Sequence, residues 1–313
     1  MRLTARPLTM PRLRAGKDRR PNPIAVSPLC WGISDSRGWG AQLEPERVLG
    51  EVASLGETSV EAGPSGFLPD RSEAARSMLR RHRLRLVAGP VRAVLHHHEL
   101  RGSELAHIDG HAGWLAALGA QTLVLTLIAS RGDEAHIGEL SSTGWAHLLS
   151  SIGTVQHVCT VHKLQLAVEP GQGSMIQGPQ DIERLLVGAE AGVCIDLAQL
   201  VLAGADPLEV IELAAGRIHH VHVNDIDSNL ARQVREDGLE YAGAVSAGLF
   251  KPLGTGDADV AGAIDALGRA GYAGWYGLET DRRLGSVEDD PVAEVKASLE
   301  RLRTLLPAVK GKA

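Results

Sequence analysis

The chain has 313 residues, 44% of them hydrophobic and 22% charged, a globular composition long enough for one large domain or two small ones. Its net charge of -6 excludes a general attraction to nucleic acid or an anionic membrane surface. No apolar run approaches the roughly 18–20 residues of a membrane span, and Cys30, Cys159 and Cys194 are too few and too scattered for a disulfide framework, so a soluble, cytoplasmic protein is expected.

The first segment, residues 1–22, is rich in Arg and Pro with Asp18 as its only acid, and reads as a disordered basic tail or as sequence ahead of a start at Met10. From residue 23 short β-branched runs alternate with longer amphipathic stretches. The strand candidates are 23–31, 58–63, 84–96, 121–129, 164–170, 192–196, 217–225 and 274–279. Helical stretches lie between them, as at 44–56, 103–120, 178–192, 206–216 and 259–272, and several close on glycine, such as Gly56, Gly119 and Gly216. Eight alternations imply a parallel sheet closed into a single-domain α/β fold, a (β/α)8 TIM barrel over residues 23–308, with 309–313 as a second tail. The loop after the seventh strand, 226–256, is too long for an ordinary connection. Its apolar spacing fits one or two short helices, either a lid over the barrel mouth or an inert insertion.

Active sites of such barrels form at the carboxyl ends of the strands. There the fifth candidate ends in Glu169, the sixth in Asp196 and the eighth in Glu279, while "RIHHVHVND" (217–225) carries His222. Each is the lone acid or imidazole of an otherwise apolar run. Three carboxylates and an imidazole form a hard N/O donor set suited to Mn2+, Co2+, Mg2+ or Zn2+. Without a dication the carboxylates would repel one another. His220 shares a strand face with His222 but lies one pleat deeper, as a group orienting a ligand or substrate or as a core histidine; His219 faces the helices.

The residues that carry a family likeness are "CWGISDSRGWGAQLEPERVL" (30–49), "VEAGPSGFLPD" (60–70), "LRLVAGPVRAVLH" (84–96), "GSMIQGPQDIERLL" (173–186), "GADPLEVIELAAGRIHHVHVNDID" (204–227) and "LFKPLGTGDADVAGAIDALGRAGYAGWYGLETD" (249–281). With them the chain resembles the xylose-isomerase-like TIM barrels, the sugar phosphate isomerase/epimerase group, and within it the inosose dehydratases and isomerases of inositol breakdown. The last two stretches are the most specific, joining a ligand histidine, a Leu-Gly-x-Gly-Asp loop and a Gly-Tyr-x-Gly-Trp exit before the final Glu. The resemblance implies a metal held by Glu, Asp, His and Glu at the ends of strands five to eight, positions matched by Glu169, Asp196, His222 and Glu279. It also allows a homodimer. The chain departs from the dehydratases at three places: "EPGQGS" puts Glu169 and Gly171 where two histidines are usual, "DLAQ" puts Gln199 for a substrate-contacting histidine, and "HVND" puts Asn224 for a lysine.

The reaction expected is isomerisation, epimerisation or dehydration of a keto-polyol or ketose through a metal-stabilised enediolate, with Glu169 and Glu279 as the proton carriers. Trp31, ending the first strand, is a candidate to stack on a sugar face or to pack in the barrel; Glu61, ending the second, is a candidate acceptor for substrate hydroxyls, beside Gln199 and His220. "HHHE" (96–99) is not expected to bind metal because adjacent side chains on an extended chain diverge, and "PLGTGD" (252–257) reads as a tight loop rather than a phosphate cradle. The contrasting reading is a degenerate barrel that binds sugar or metal without turnover, suggested by Gln199 and Asn224.

Overall fold

A computed structural model describes residues 23–131 and 140–306, so the tails expected at 1–22 and 309–313 lie outside the described residues. Eight parallel strands form the barrel: β1 (Ile24–Val26), β2 (Ser59–Val60), β3 (Arg85–Leu86 and Ala88–Ala93), β4 (Thr122–Leu127), β5 (Gln165–Val168), β6 (Gly192–Asp196), β7 (Ile218–Val223) and β8 (Tyr276–Leu278). The first segment of β3 pairs with β2 and the second with β4. Between them, Val87 donates its N–H to Val60 and accepts from Gln121. Ala62 N–H also bonds Ala88 O at 2.9 Å, so the two segments bridge β2 and β4, and β1 completes the ring by pairing with β8.

Alternate side chains sort the strands into two surfaces, as period-2 geometry requires. Outward residues such as Leu166, Val193, Ile195, Val221 and Val223 join one large core with the surrounding helices. The barrel interior is lined by small groups, among them Ala25, Ala88, Ala167 and Cys194, with Trp275 at the entry to β8. The Trp275 indole N–H donates to Gln121 Oε1 at 3.0 Å, tying the strand starts together. Small residues in the wall leave volume for the imidazoles of β7, which a Leu-lined interior would fill.

The expected first strand, 23–31, is shorter than its apolar run suggests. Proline has no N–H for a ladder, and Ser27 caps a 3-10 turn, Pro28–Trp31, that leaves the barrel after Val26. The long segment after β7 folds into a two-stranded antiparallel ribbon (Asp225–Ile226 with Phe250–Lys251) and two helices, Ser228–Glu236 and Tyr241–Ser246. Trp39, Ala198, Leu202, Ile226, Ala231, Ala244, Val245 and Leu249 give it a small core of its own. The segment is therefore packed on the β6 side of the mouth.

Asp225 ties this segment to the barrel. Its carboxylate accepts from the backbone N–H of Gly254 and Gly256 at 2.8 and 2.9 Å, of Ala258 at 3.1 Å and of Ile226 at 2.9 Å. A Cβ on Gly256 would lie 2.4 Å from Asp225 Oδ1, so only glycine admits the carboxylate. The "PLGTGD" loop is thus a cradle for the chain's own aspartate. Because Asp225→Ala leaves these donors without their acceptor, it is expected to lower stability by about 2–4 kcal/mol, read from the urea midpoint at unchanged m value.

Candidate active site

Four side chains converge at the carboxyl end of the barrel, and one donor atom from each of Glu169, Asp196, His222 and Glu279 lies within 4.8 Å of the other three. The ladder places them there. Asp196 and His222 are direct cross-strand partners, and Gly277, opposite His222 on β8, is followed two residues later by Glu279. Glu169 extends β5 by one residue, with its N–H on Leu125 O at 2.9 Å. His222 is the hub: its Nδ1 lies 2.8 Å from Glu169 Oε1, 3.5 Å from Asp196 Oδ2 and 3.7 Å from Glu279 Oε1.

Neighbours hold two of the acids in place. Thr126 Oγ1 donates to Glu169 Oε2 at 2.9 Å. The Asn224 amide donates to both oxygens of Asp196 at 3.0 Å while its Oδ1 accepts from Ala198 N–H at 2.7 Å. Asp196 Oδ1 also accepts from Gln199 N–H at 2.8 Å, capping the short helix Leu197–Leu202. Asn224, which stands for a lysine in the resembling dehydratases, is therefore spent on orienting Asp196. Its position two residues beyond His222 was the only sequence signal for that role.

Electrostatics separates the two half-buried acids. Burial opposes the charge of Glu169, but the hydrogen bond and charge of His222 and the hydroxyl of Thr126 hold its carboxyl below the usual range. Burial pushes Glu279 well above that range; His222 opposes this, and the charges of Glu61, Glu169 and Asp196 add to it. Burial also works against charge on His222, yet Cys194, Glu279 and Glu61 raise it well above an ordinary histidine. Three acids therefore compete for one imidazole. Cys194 Sγ lies 3.8 Å from both Glu169 and His222, and burial pushes its thiol far above the usual range; with Glu169 and His222 it also gathers three donor atoms within 4.8 Å of one another.

Other sequence-derived candidates fall elsewhere. Trp31 is wholly buried in the core between barrel and helices, and its indole N–H donates to Glu51 Oε2 at 2.6 Å, which corrects the sugar-stacking expectation. The cause is the 3-10 turn begun at Ser27. Glu61 is also corrected as a hydroxyl acceptor: it is buried below the mouth, with Oε1 2.7 Å from His220 Nε2 and Oε2 3.2 Å from His222 Nε2. His220 is fully enclosed and makes no wall for a substrate. His219 points outward to Leu166 O at 2.8 Å. Gln199 does reach the half-buried rim, beside Tyr241, whose hydroxyl donates to Asp281. Tyr241 and Asp281 carried no sequence signal, since the phenol arrives from the long segment after β7. Burial pushes the Asp281 carboxyl up to about 6.

The comparisons with known proteins agree with this architecture. A family model described as xylose isomerase-like TIM barrel matches residues 49–305. The rhizopine catabolism protein MocC of Rhizobium meliloti is 26% identical over 268 residues, 83% of this chain and 81% of that protein. An inosose dehydratase of Geobacillus kaustophilus is 22% identical over 277 residues, 85% of this chain and 89% of that enzyme. The crystal structure of an IOLI protein with a bound zinc atom shares the fold, with a TM-score of 0.68 at 12% identity over 90% of this chain and 97% of that one.

Gly171, one of the departures, fits Gln199 by shape. A Cβ there would meet Gln199 Cβ at 2.7 Å. Gly171→Ala is expected to cost about 1–3 kcal/mol by overpacking. Adding Gln199→Ala should return part of that loss, a coupling measurable by a double-mutant cycle of urea midpoints.

Proposed function

The chain belongs to the xylose isomerase-like TIM barrel family, and we propose that it is a divalent-metal-dependent isomerase or epimerase of a ketose or keto-polyol, inosose-like in chemistry. The observation that carries this reading is the set of Glu169, Asp196, His222 and Glu279, whose donor atoms gather within 4.8 Å.

The residues fit a dication by their chemistry. Oxygen and imidazole donors suit Mn2+ or Co2+, and also Mg2+ or Zn2+. The competition of three acids for one histidine is the electrostatic condition that a dication relieves. Asp196 and His222 are nearly inaccessible, whereas Glu169 and Glu279 are half-buried and reach the mouth. A bound ion would supply Lewis acidity, polarising a substrate carbonyl and acidifying the adjacent C–H.

The protein's own groups do the proton work. Glu169 and Glu279 come from strands on two sides of His222 and can take a proton from a carbon beside the carbonyl and return one. Return to the other face of the same carbon gives an epimer, and return to the neighbouring carbon gives an isomer. Thr126 fixes Glu169 and Asn224 fixes Asp196, so the acids are held before substrate arrives. Gln199 and Asn224 supply neither the imidazole nor the ammonium that would assist departure of a hydroxyl. Proton transfer without elimination therefore suits this site better than dehydration. The curated relatives named for inosose and the intact ligand set favour catalysis over a degenerate binding barrel.

The reading is tested by Mn2+-loaded protein in D2O with inososes and simple ketoses. Wild type is expected to wash deuterium into a carbon α to the carbonyl, followed by NMR. Glu169→Gln and Glu279→Gln should each slow exchange by about 100-fold or more. Exchange that persists in both variants, or is absent with every ketose offered to wild type, contradicts it.

A further inference from the structure

The geometry points to Glu61, anchored by His220, as a positioning residue that holds the His222 ring so that Nδ1 faces the three carboxylates. This rests on the metal reading above and deepens it.

Glu61 follows β2 and reaches into the barrel beneath the site, where Glu61, His220 and His222 are 3%, 0% and 4% exposed. Its two oxygens divide between the histidines, Oε2 lying 3.2 Å from His222 Nε2 and Oε1 2.7 Å from His220 Nε2. His222 Nε2 makes no hydrogen bond among the described residues, and Glu61 Oε2 approaches it at ion-pair distance without hydrogen-bond alignment. The His220 and His222 rings meet edge on, with centroids 5.0 Å apart and planes at 83°.

The fold reserves space for this contact. A Cβ on Gly277 would lie 2.2 Å from Glu61 Oε1 and 3.0 Å from His222 Cδ2, so the glycine of "WYGLE" is what lets carboxylate and imidazole meet. The barrel wall is thus shaped around the pair.

An imidazole that binds a metal through one nitrogen keeps its hydrogen on the other, and a carboxylate facing that second nitrogen fixes the tautomer and the ring plane. On His222 the carboxylates of the proposed metal site gather at Nδ1, so the orienting group must stand at Nε2. Glu61 is the carboxylate there. His220 keeps Glu61 from swinging to the mouth, which explains why a fully enclosed imidazole sits one pleat below a ligand.

A purely structural ion pair would affect stability alone. Orientation of His222 predicts two further readouts: Mn2+ affinity by isothermal titration, and the His222 ring-nitrogen NMR signals of metal-free and Zn2+-loaded protein. Glu61→Gln is expected to weaken Mn2+ binding about 10–100-fold and to move the His222 signals in the metal-free chain. His220→Gln should do both more weakly, and it serves as the test should Glu61→Gln not fold. Unchanged affinity and unchanged His222 signals in folded variants overturn the inference while the metal reading stands. Failure of wild type to bind Mn2+ overturns the metal reading and the inference with it.

Discussion

The site depends on the crowding of carboxylates around a single imidazole. Glu169, Asp196 and Glu279 face His222 Nδ1 while Glu61 faces its Nε2. Four acids around one histidine form a cluster whose charge must be balanced, and burial makes each unbalanced charge expensive. The fold meets this by fixed hydrogen bonds to the acids it can reach, from Thr126, Asn224 and His220. What remains at the centre is a site with the donor chemistry of a divalent ion.

The seventh strand does several jobs at once because its side chains alternate. His220 and His222 point inward, one to anchor Glu61 and one to the carboxylates, while Val221 and Val223 pack against the helices. Immediately beyond, Asn224 holds Asp196 and Asp225 holds the Gly254–Gly256 turn. Ligand placement and attachment of the segment after β7 are therefore coupled through two adjacent residues. Asn224 thus braces the site through Asp196.

Much of the fold was legible because parallel barrel strands are short apolar runs ending in isolated polar residues. That pattern located Glu169, Asp196, His222 and Glu279, and geometry brings them together. It failed where a side chain's environment depends on distant chain. Trp31 looked like a rim residue until Ser27 and Pro28 turned the chain out of the barrel. Glu61 reads as an acceptor for substrate hydroxyls because nothing local shows that two histidines 159 and 161 positions away stand beside it. Tyr241 and Asp281 meet only because the long segment after β7 folds back over the mouth. "PLGTGD" reads as a tight loop, and nothing local shows that its backbone N–H groups gather on Asp225 of the same chain.

If the carboxylate cluster is a metal site, purified protein retains a divalent ion. Purified protein would be incubated with Mn2+ or Co2+, dialysed exhaustively and measured by inductively coupled plasma mass spectrometry. About one ion per chain is expected in wild type, lost in Asp196→Asn. Retention of the same ion content by Asp196→Asn, or none by wild type even at saturating metal in solution, would contradict it.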